Sequence, residues 1–287
     1  MKFVLALVLL VAALFIAACS FNPLRTFNAL VPKDGESERV AVGIAYGDDE
    51  RQKLDIYAPS HGDVASRPVI VWFYGGSWNS GTRKGYGFVG RALASRGFVT
   101  VVADYRLVPD VRFPAFLEDG AAAVRWTRAN IGEYGGDGER IVVGGHSAGA
   151  YIAAMLANDP RWLGGDREAV KGMVGLAGPY DFAPFDVDST IAAFGEWPDP
   201  ADTQPVTFAD ASAPPHLLLT GENDETVKPR NSEALAAKLR EAGVEAEVRR
   251  YPDVEHINIV VALSRIRRGR APVLDDVTTF ARRVTAE

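Results

Sequence analysis

Gly145-His146-Ser147-Ala148-Gly149 is the segment of this chain best suited to covalent chemistry. An apolar run ending at Val143 precedes it and an Ala-rich, helix-prone stretch follows. In that setting a sharp strand-to-helix turn holds the serine in a strained conformation, and small neighbours let two backbones pass closely. The hydroxyl then stands at a helix N-terminus, where the dipole favours developing negative charge. A serine hydroxyl is a weak nucleophile near neutral pH and needs a general base. Four histidines are available. His61 lies in a loop before an early strand, His146 sits inside the turn itself, and His216 opens a strand. His256 follows a late strand, ahead of the last helix, and only it fits the chain order Ser, Asp/Glu, His. The acid belongs after the strand at 217–219, where Glu222, Asp224 and Glu225 compete. Holding an imidazole tautomer asks for a short carboxylate on a rigid turn, which puts Asp224 first and Glu222 next. Tyr74-Gly75-Gly76-Ser77-Trp78 follows another strand. Its glycines let the chain turn tightly and bring backbone N–H groups near a substrate carbonyl, as an oxyanion hole requires.

These segments need a rigid frame. Residues 40–46 and 53–58 alternate enough for an opening antiparallel pair, turned around Gly47, Asp48 and Asp49. Short runs at 69–74, 98–103, 141–143, 173–176 and 217–219 are apolar at nearly every position, the pattern of strands covered on both faces. Helical patterns at 85–95, 115–131, 148–157 and 231–242 fall between them. A final strand near 246–251 and a helix near 272–283 complete the series. Strand and helix in alternation imply an α/β domain with a mostly parallel sheet of about eight strands and helices on both faces. Residues 183–215 break the alternation; they are rich in Asp, Pro and Ala, with Phe185, Phe194, Trp197 and Phe208 among them. A loop this long in a compact domain reads as a lid-like insertion or pocket wall, with a small helical excursion or a plain surface insertion as the alternatives.

The chain has 287 residues, 47% hydrophobic and 24% charged, enough to bury a sizeable core. A net charge of −6 argues against nucleic acid as a partner, which calls for a basic face. The basic run from Arg265 to Arg270 reads as a solvated helix end. No metal or organic cofactor is indicated: the histidines are scattered and no phosphate-cradling motif occurs. The N-terminus is different in kind. Lys2 is followed by an uncharged apolar run from Phe3 to Ala18, short for a membrane span and suited to a signal peptide. It ends in Ile16-Ala17-Ala18-Cys19, with the only cysteine of the chain. This resembles the lipobox of bacterial lipoproteins, which implies lipidation of Cys19; a plain secretory signal and an uncleaved anchor are the alternatives. The resulting division is a signal over 1–18, a tether over 19–39 and a single domain over 40–287. The expected location is outside the cytoplasm, lipid-anchored to a bacterial membrane. Ser20, by the same resemblance, goes with the outer membrane.

Taken together, the turn around Ser147, the stretch 72–81, the run Asp104-Tyr105-Arg106-Leu107, and Phe113-Pro114 with Asp119 resemble the α/β-hydrolase-fold serine esterases. More narrowly, they are similar to the hormone-sensitive-lipase-like and carboxylesterase-like branches. The resemblance covers roughly residues 40–285. It implies Ser147 as nucleophile, Asp224 as acid and His256 as base, with the N–H groups of Gly76, Ser77 and Ala148 forming the oxyanion hole. Two positions depart from many relatives: Tyr74 stands where His is common, and Ser77 where Gly is common. Asp104, Arg106 and Asp119 read as a structural ion-pair network. The implied activity is hydrolysis of small carboxylic esters through an acyl-enzyme. An arylformamidase or amidase of the same fold, and a catalytically silent binding lipoprotein, are the competing readings.

Overall fold

In the computed structural model, which describes residues 23–62 and 66–286, the uniformly apolar runs become the centre of one eight-stranded sheet. The strands are β1 (Ser37–Ala45), β2 (Lys53–Pro59), β3 (Arg67–Phe73), β4 (Val99–Ala103), β5 (Gly136–His146), β6 (Val170–Leu176), β7 (His216–Gly221) and β8 (Ala246–Tyr251). Their spatial order is β1-β2-β4-β3-β5-β6-β7-β8. β1 pairs antiparallel with β2, and β2 with β4, while β3 to β8 are mutually parallel. Every residue from Val69 to Phe73 is buried, as a strand covered on both faces must be.

The main helices are α1 (Pro23–Leu30), α2 (Gly87–Ala94), α3 (Ala115–Asn130), α4 (Ala148–Asn158), α5 (Pro160–Leu163), α6 (Asp188–Phe194), α7 (Arg230–Glu241), α8 (His256–Val261) and α9 (Val273–Val284). α2 and α9 pack together beside the sheet, and α3 packs on α4. Every residue of α4 is buried, which explains its composition: a helix enclosed all round has no polar face.

The topology places the chemistry. β3 lies between β4 and β5, so the winding of the chain reverses at the β3–β5 boundary, with Phe73 opposite Gly145. Open α/β sheets bind ligands outside the carboxyl ends of strands at such a point. β6 puts Leu176 beside His146, and β8 puts Tyr251 beside Gly221. The segments that follow β3, β5, β7 and β8 therefore emerge on one edge.

Three expectations are corrected. The stretch 23–36 is no plain tether: α1 packs Phe27 edge-on against Phe88 at 5.2 Å, Val31 is buried, and Asp34 pairs with Arg268 at 3.0 Å. The expected ion-pair network is two networks. Arg106 binds Asp119 at 2.7 Å, whereas Asp104 pairs with Arg83, which also holds the fully buried Asp55 at 2.8 Å. The insertion 183–215 is not a lid over Ser147. Its Phe194 sits against Trp78, Tyr151 and Phe116, with centroids 4.8, 5.3 and 5.6 Å away. It forms an aromatic plug, and no residue of it lines the cavity at Ser147.

Candidate active site

Ser147 occupies the turn from β5 into α4 with φ +55° and ψ −123°, a sparsely populated conformation for a residue with a side chain. Two bonds hold it: its N–H donates to the Leu176 carbonyl at 2.8 Å, and its carbonyl accepts from Tyr151 N–H at 3.1 Å. The flanking glycines are required by contact. A Cβ on Gly145 would lie 2.3 Å from the Gly149 carbonyl carbon, and one on Gly149 would lie 2.1 Å from the Phe73 oxygen. The turn thus passes directly over the end of β3.

The turns after β7 and β8 bring up two further groups. His256 Nε2 lies 2.9 Å from Ser147 Oγ, and His256 Nδ1 lies 2.8 Å from Asp224 Oδ2. Asp224 Oδ1 accepts from the N–H groups of Thr226 and Val227 at 2.9 and 2.8 Å. The carboxylate is buried, and its turn holds it in one orientation. Glu222 is exposed and faces Arg250 at 3.7 Å. Glu225 pairs loosely with Lys228, also at 3.7 Å. Of the three candidate acids, the fold brings only Asp224 to the histidine.

The third side of the site is the turn after β3. Gly76 has φ +142°, which only glycine adopts readily, and Ser77 and Trp78 follow at +50° and +59°. Two consecutive side-chain-bearing residues in this region mark a backbone forced by its surroundings. Asn79 and Ser80 both donate to the Gly76 carbonyl, and the Trp78 carbonyl accepts from Val108 N–H. Arg51 braces the base of the turn, reaching the Tyr74 hydroxyl at 2.7 Å and the Gly81 carbonyl at 3.0 Å. The N–H groups of Gly76, Ser77 and Ala148 take no acceptor among the described residues. They are donors available to a ligand.

Ser147, His256 and this turn line a cavity of about 240 Å³. Leu24 of α1, Thr226 and Ile257 close its other walls. Those three, and Tyr86, escape sequence reasoning because they belong to no motif. The histidine inside the turn is different: a histidine at the end of a buried strand needs partners for both ring nitrogens. His146 is fully enclosed, and loss of hydration pushes its pKa down to about 3, with repulsion from His256 adding to the shift. It stays neutral, and with Nδ1 on the Tyr86 hydroxyl and Nε2 on the His256 carbonyl it has no ring nitrogen free to face Ser147 Oγ. Of the other histidines, His216 is buried in β7, and His61 is exposed at the far end of β2. Cys19 and the apolar run before it lie outside the described residues, among which no helix is long and apolar enough to cross a membrane.

The BD-FAE family model matches residues 54–239, which include the turns bearing Gly76, Ser77, Ser147 and Asp224 but not His256. Esterase LipC of Mycobacterium tuberculosis is 32% identical over 220 residues, covering 69% of this chain and 54% of its own. Carboxylesterase NlhH of the same species is 34% identical over 219 residues, covering 68% of each. The chain thus spans about half to two-thirds of these relatives' length. Among solved structures, a truncated carbohydrate esterase from gut microbiota superposes with a TM-score of 0.78 at 22% identity, over 90% of this chain and 100% of that one. The sheet order, the strained serine turn between β5 and α4 and a family match over most of the domain agree: the chain belongs to the BD-FAE family and has the α/β-hydrolase fold.

Proposed function

We propose that this protein hydrolyses small carboxylic esters through an acyl-enzyme on Ser147. The observation that carries this reading is the unbroken line from Ser147 Oγ through His256 to the buried Asp224, beside donors with no acceptor of their own. His256 Nε2 takes the hydroxyl proton as Oγ attacks the ester carbonyl. Nδ1–H donates to Asp224, which holds the tautomer and stabilises the imidazolium. The N–H groups of Gly76, Ser77 and Ala148 receive the developing oxyanion, at the N-terminus of α4. The imidazolium then protonates the leaving alcohol, and a water, activated by the same nitrogen, releases the acid. A cavity of about 240 Å³, closed by Leu24, Tyr86, Thr226 and Ile257, favours a short acyl group.

The test is Ser147→Ala against a panel of nitrophenyl esters of increasing chain length. Loss of kcat on the order of 10⁴-fold with an unchanged fold is expected. Wild-type turnover in that variant ends the assignment. Labelling of Ser147 by a fluorophosphonate separates an enzyme from a silent binding protein, and a matched ester and anilide pair separates esterase from amidase.

We further propose that Cys19 is lipidated and tethers the domain to a membrane outside the cytoplasm, a reading supported by Ile16-Ala17-Ala18-Cys19 after an uncharged apolar run. One acyl chain binds a bilayer only reversibly, whereas two anchor it stably. Cys19→Ser should abolish the lipid mass on the mature protein; an unmodified Cys19 in the native protein overturns the reading.

A further inference from the structure

Between the turn after β3 and the turn bearing His256 lie two buried side chains that the proposed chemistry does not use: Tyr86, 2% exposed, and His146, 1% exposed. They complete a hydrogen-bonded chain. Gly75 N–H donates to the Tyr86 hydroxyl at 3.1 Å, the hydroxyl meets His146 Nδ1 at 2.9 Å, and His146 Nε2 meets the backbone carbonyl of His256 at 2.9 Å. Its polarity follows from valence alone. A carbonyl oxygen can only accept, so His146 Nε2 carries the proton. In a neutral ring Nδ1 then accepts, so the Tyr86 hydroxyl donates to it and uses its own lone pair for Gly75. Every polar atom in the chain is satisfied in one arrangement.

We propose that Tyr86 and His146 are positioning residues that hold the oxyanion turn and the base turn at a fixed separation. The proposal rests on the reading of Ser147 and His256 as the reacting pair. Three observations support it. Gly75 stands close against the ring: a Cβ there would lie 2.7 Å from His146 Nδ1 and 3.0 Å from Ser147 Cβ, so no side chain fits between the turn and these two residues. His256 opens α8, and its carbonyl is where the bond from His146 enters that turn. The rings of His146 and His256 lie 4.9 Å apart, so a protonated His146 would oppose the imidazolium that catalysis forms on His256. Burial keeps it neutral.

Misplacing a reacting group by an ångström costs on the order of 10²-fold in rate, so Tyr86→Phe, which removes the central hydroxyl and little else, should lower kcat about 10- to 100-fold while KM stays within about threefold. A residue that only fills space would move the melting temperature and leave kcat near wild type. In ¹⁵N-labelled wild-type protein the His146 ring should show the Nε2–H tautomer, unchanged between pH 5 and 8. A Tyr86→Phe variant with wild-type kcat, or a His146 ring protonated on Nδ1 in the native protein, overturns the proposal. Ser147→Ala run in parallel keeps the two readings apart: if it retains activity, the nucleophile is wrong, whereas the tautomer measurement still tests the chain.

Discussion

His216 offers a test of the physics of burial that is independent of catalysis. It opens β7, is fully buried, and donates Nδ1–H to the Pro214 carbonyl at 2.7 Å, while its Nε2 has no partner among the described residues. Loss of hydration pushes its pKa down to about 4. An ordinary histidine takes up its proton near pH 6.5, so between pH 6.5 and 4 the unfolded chain binds a proton that the native state refuses. Stability must therefore fall as pH falls through that window, by about 1.4 kcal/mol per pH unit for one histidine. From pH 7 to pH 5 the loss is about 2 kcal/mol for His216. His146, pushed down to about 3, contributes a similar loss over the same interval.

Removing one titrating group isolates its share. His216→Leu loses the bond to Pro214 and has its own cost at every pH, so the informative quantity is the difference between pH 7 and pH 5. Urea unfolding followed by tryptophan fluorescence, at constant ionic strength, should show this difference shrinking by about 2 kcal/mol relative to wild type. Equal pH dependence in the two proteins would mean that His216 takes up its proton in the folded state as readily as in the unfolded one. The assignment of a depressed pKa by burial would then be refuted.

The acid is tested by paired substitutions: Asp224→Asn should lower kcat on the order of 10⁴-fold, because the amide stabilises the wrong tautomer. Glu222→Gln, at an exposed residue facing Arg250, should stay within about threefold; the reverse pattern in steady-state kinetics would move the acid. Phe194→Ala should destabilise the fold by about 3–5 kcal/mol in urea unfolding, and it should also lower kcat, since Phe194 packs on Trp78 of the turn after β3. Loss of stability with full activity would show that the aromatic plug does not support the turn. Leu24→Ala should enlarge the cavity and shift preference toward longer acyl chains across a nitrophenyl ester series. An unchanged chain-length profile would remove α1 from the pocket wall.

How far the fold can be read from the sequence depends on how far each contact reaches along the chain. The central strands were legible because burial on both faces leaves an uninterrupted apolar run. Gly145 and Gly149 were legible because backbone excludes a side chain at each, that of Gly149 at the first and that of Phe73 at the second. The choice of Asp224 over Glu222 needed more. Chain order narrowed the acid to one turn, but it was the N–H groups of Thr226 and Val227 that fixed which carboxylate faces His256. Residues 19–39 read as a tether because the stretch is mixed in composition and interrupted by Pro23 and Pro32, whereas the reason α1 folds is a surface offered by Phe88, about sixty residues away. The insertion carried a true signal in its aromatic residues, but not their destinations: Phe194 goes to Trp78, Trp197 to Phe113 and Phe208 to Arg161, and none to the cavity at Ser147. His146 stands between these cases. A histidine closing a buried strand must find one acceptor and one donor, and that requirement is visible in the sequence. Its partners, Tyr86 and the carbonyl of His256, lie 60 and 110 positions away, and only the folded sheet brings them to the ring.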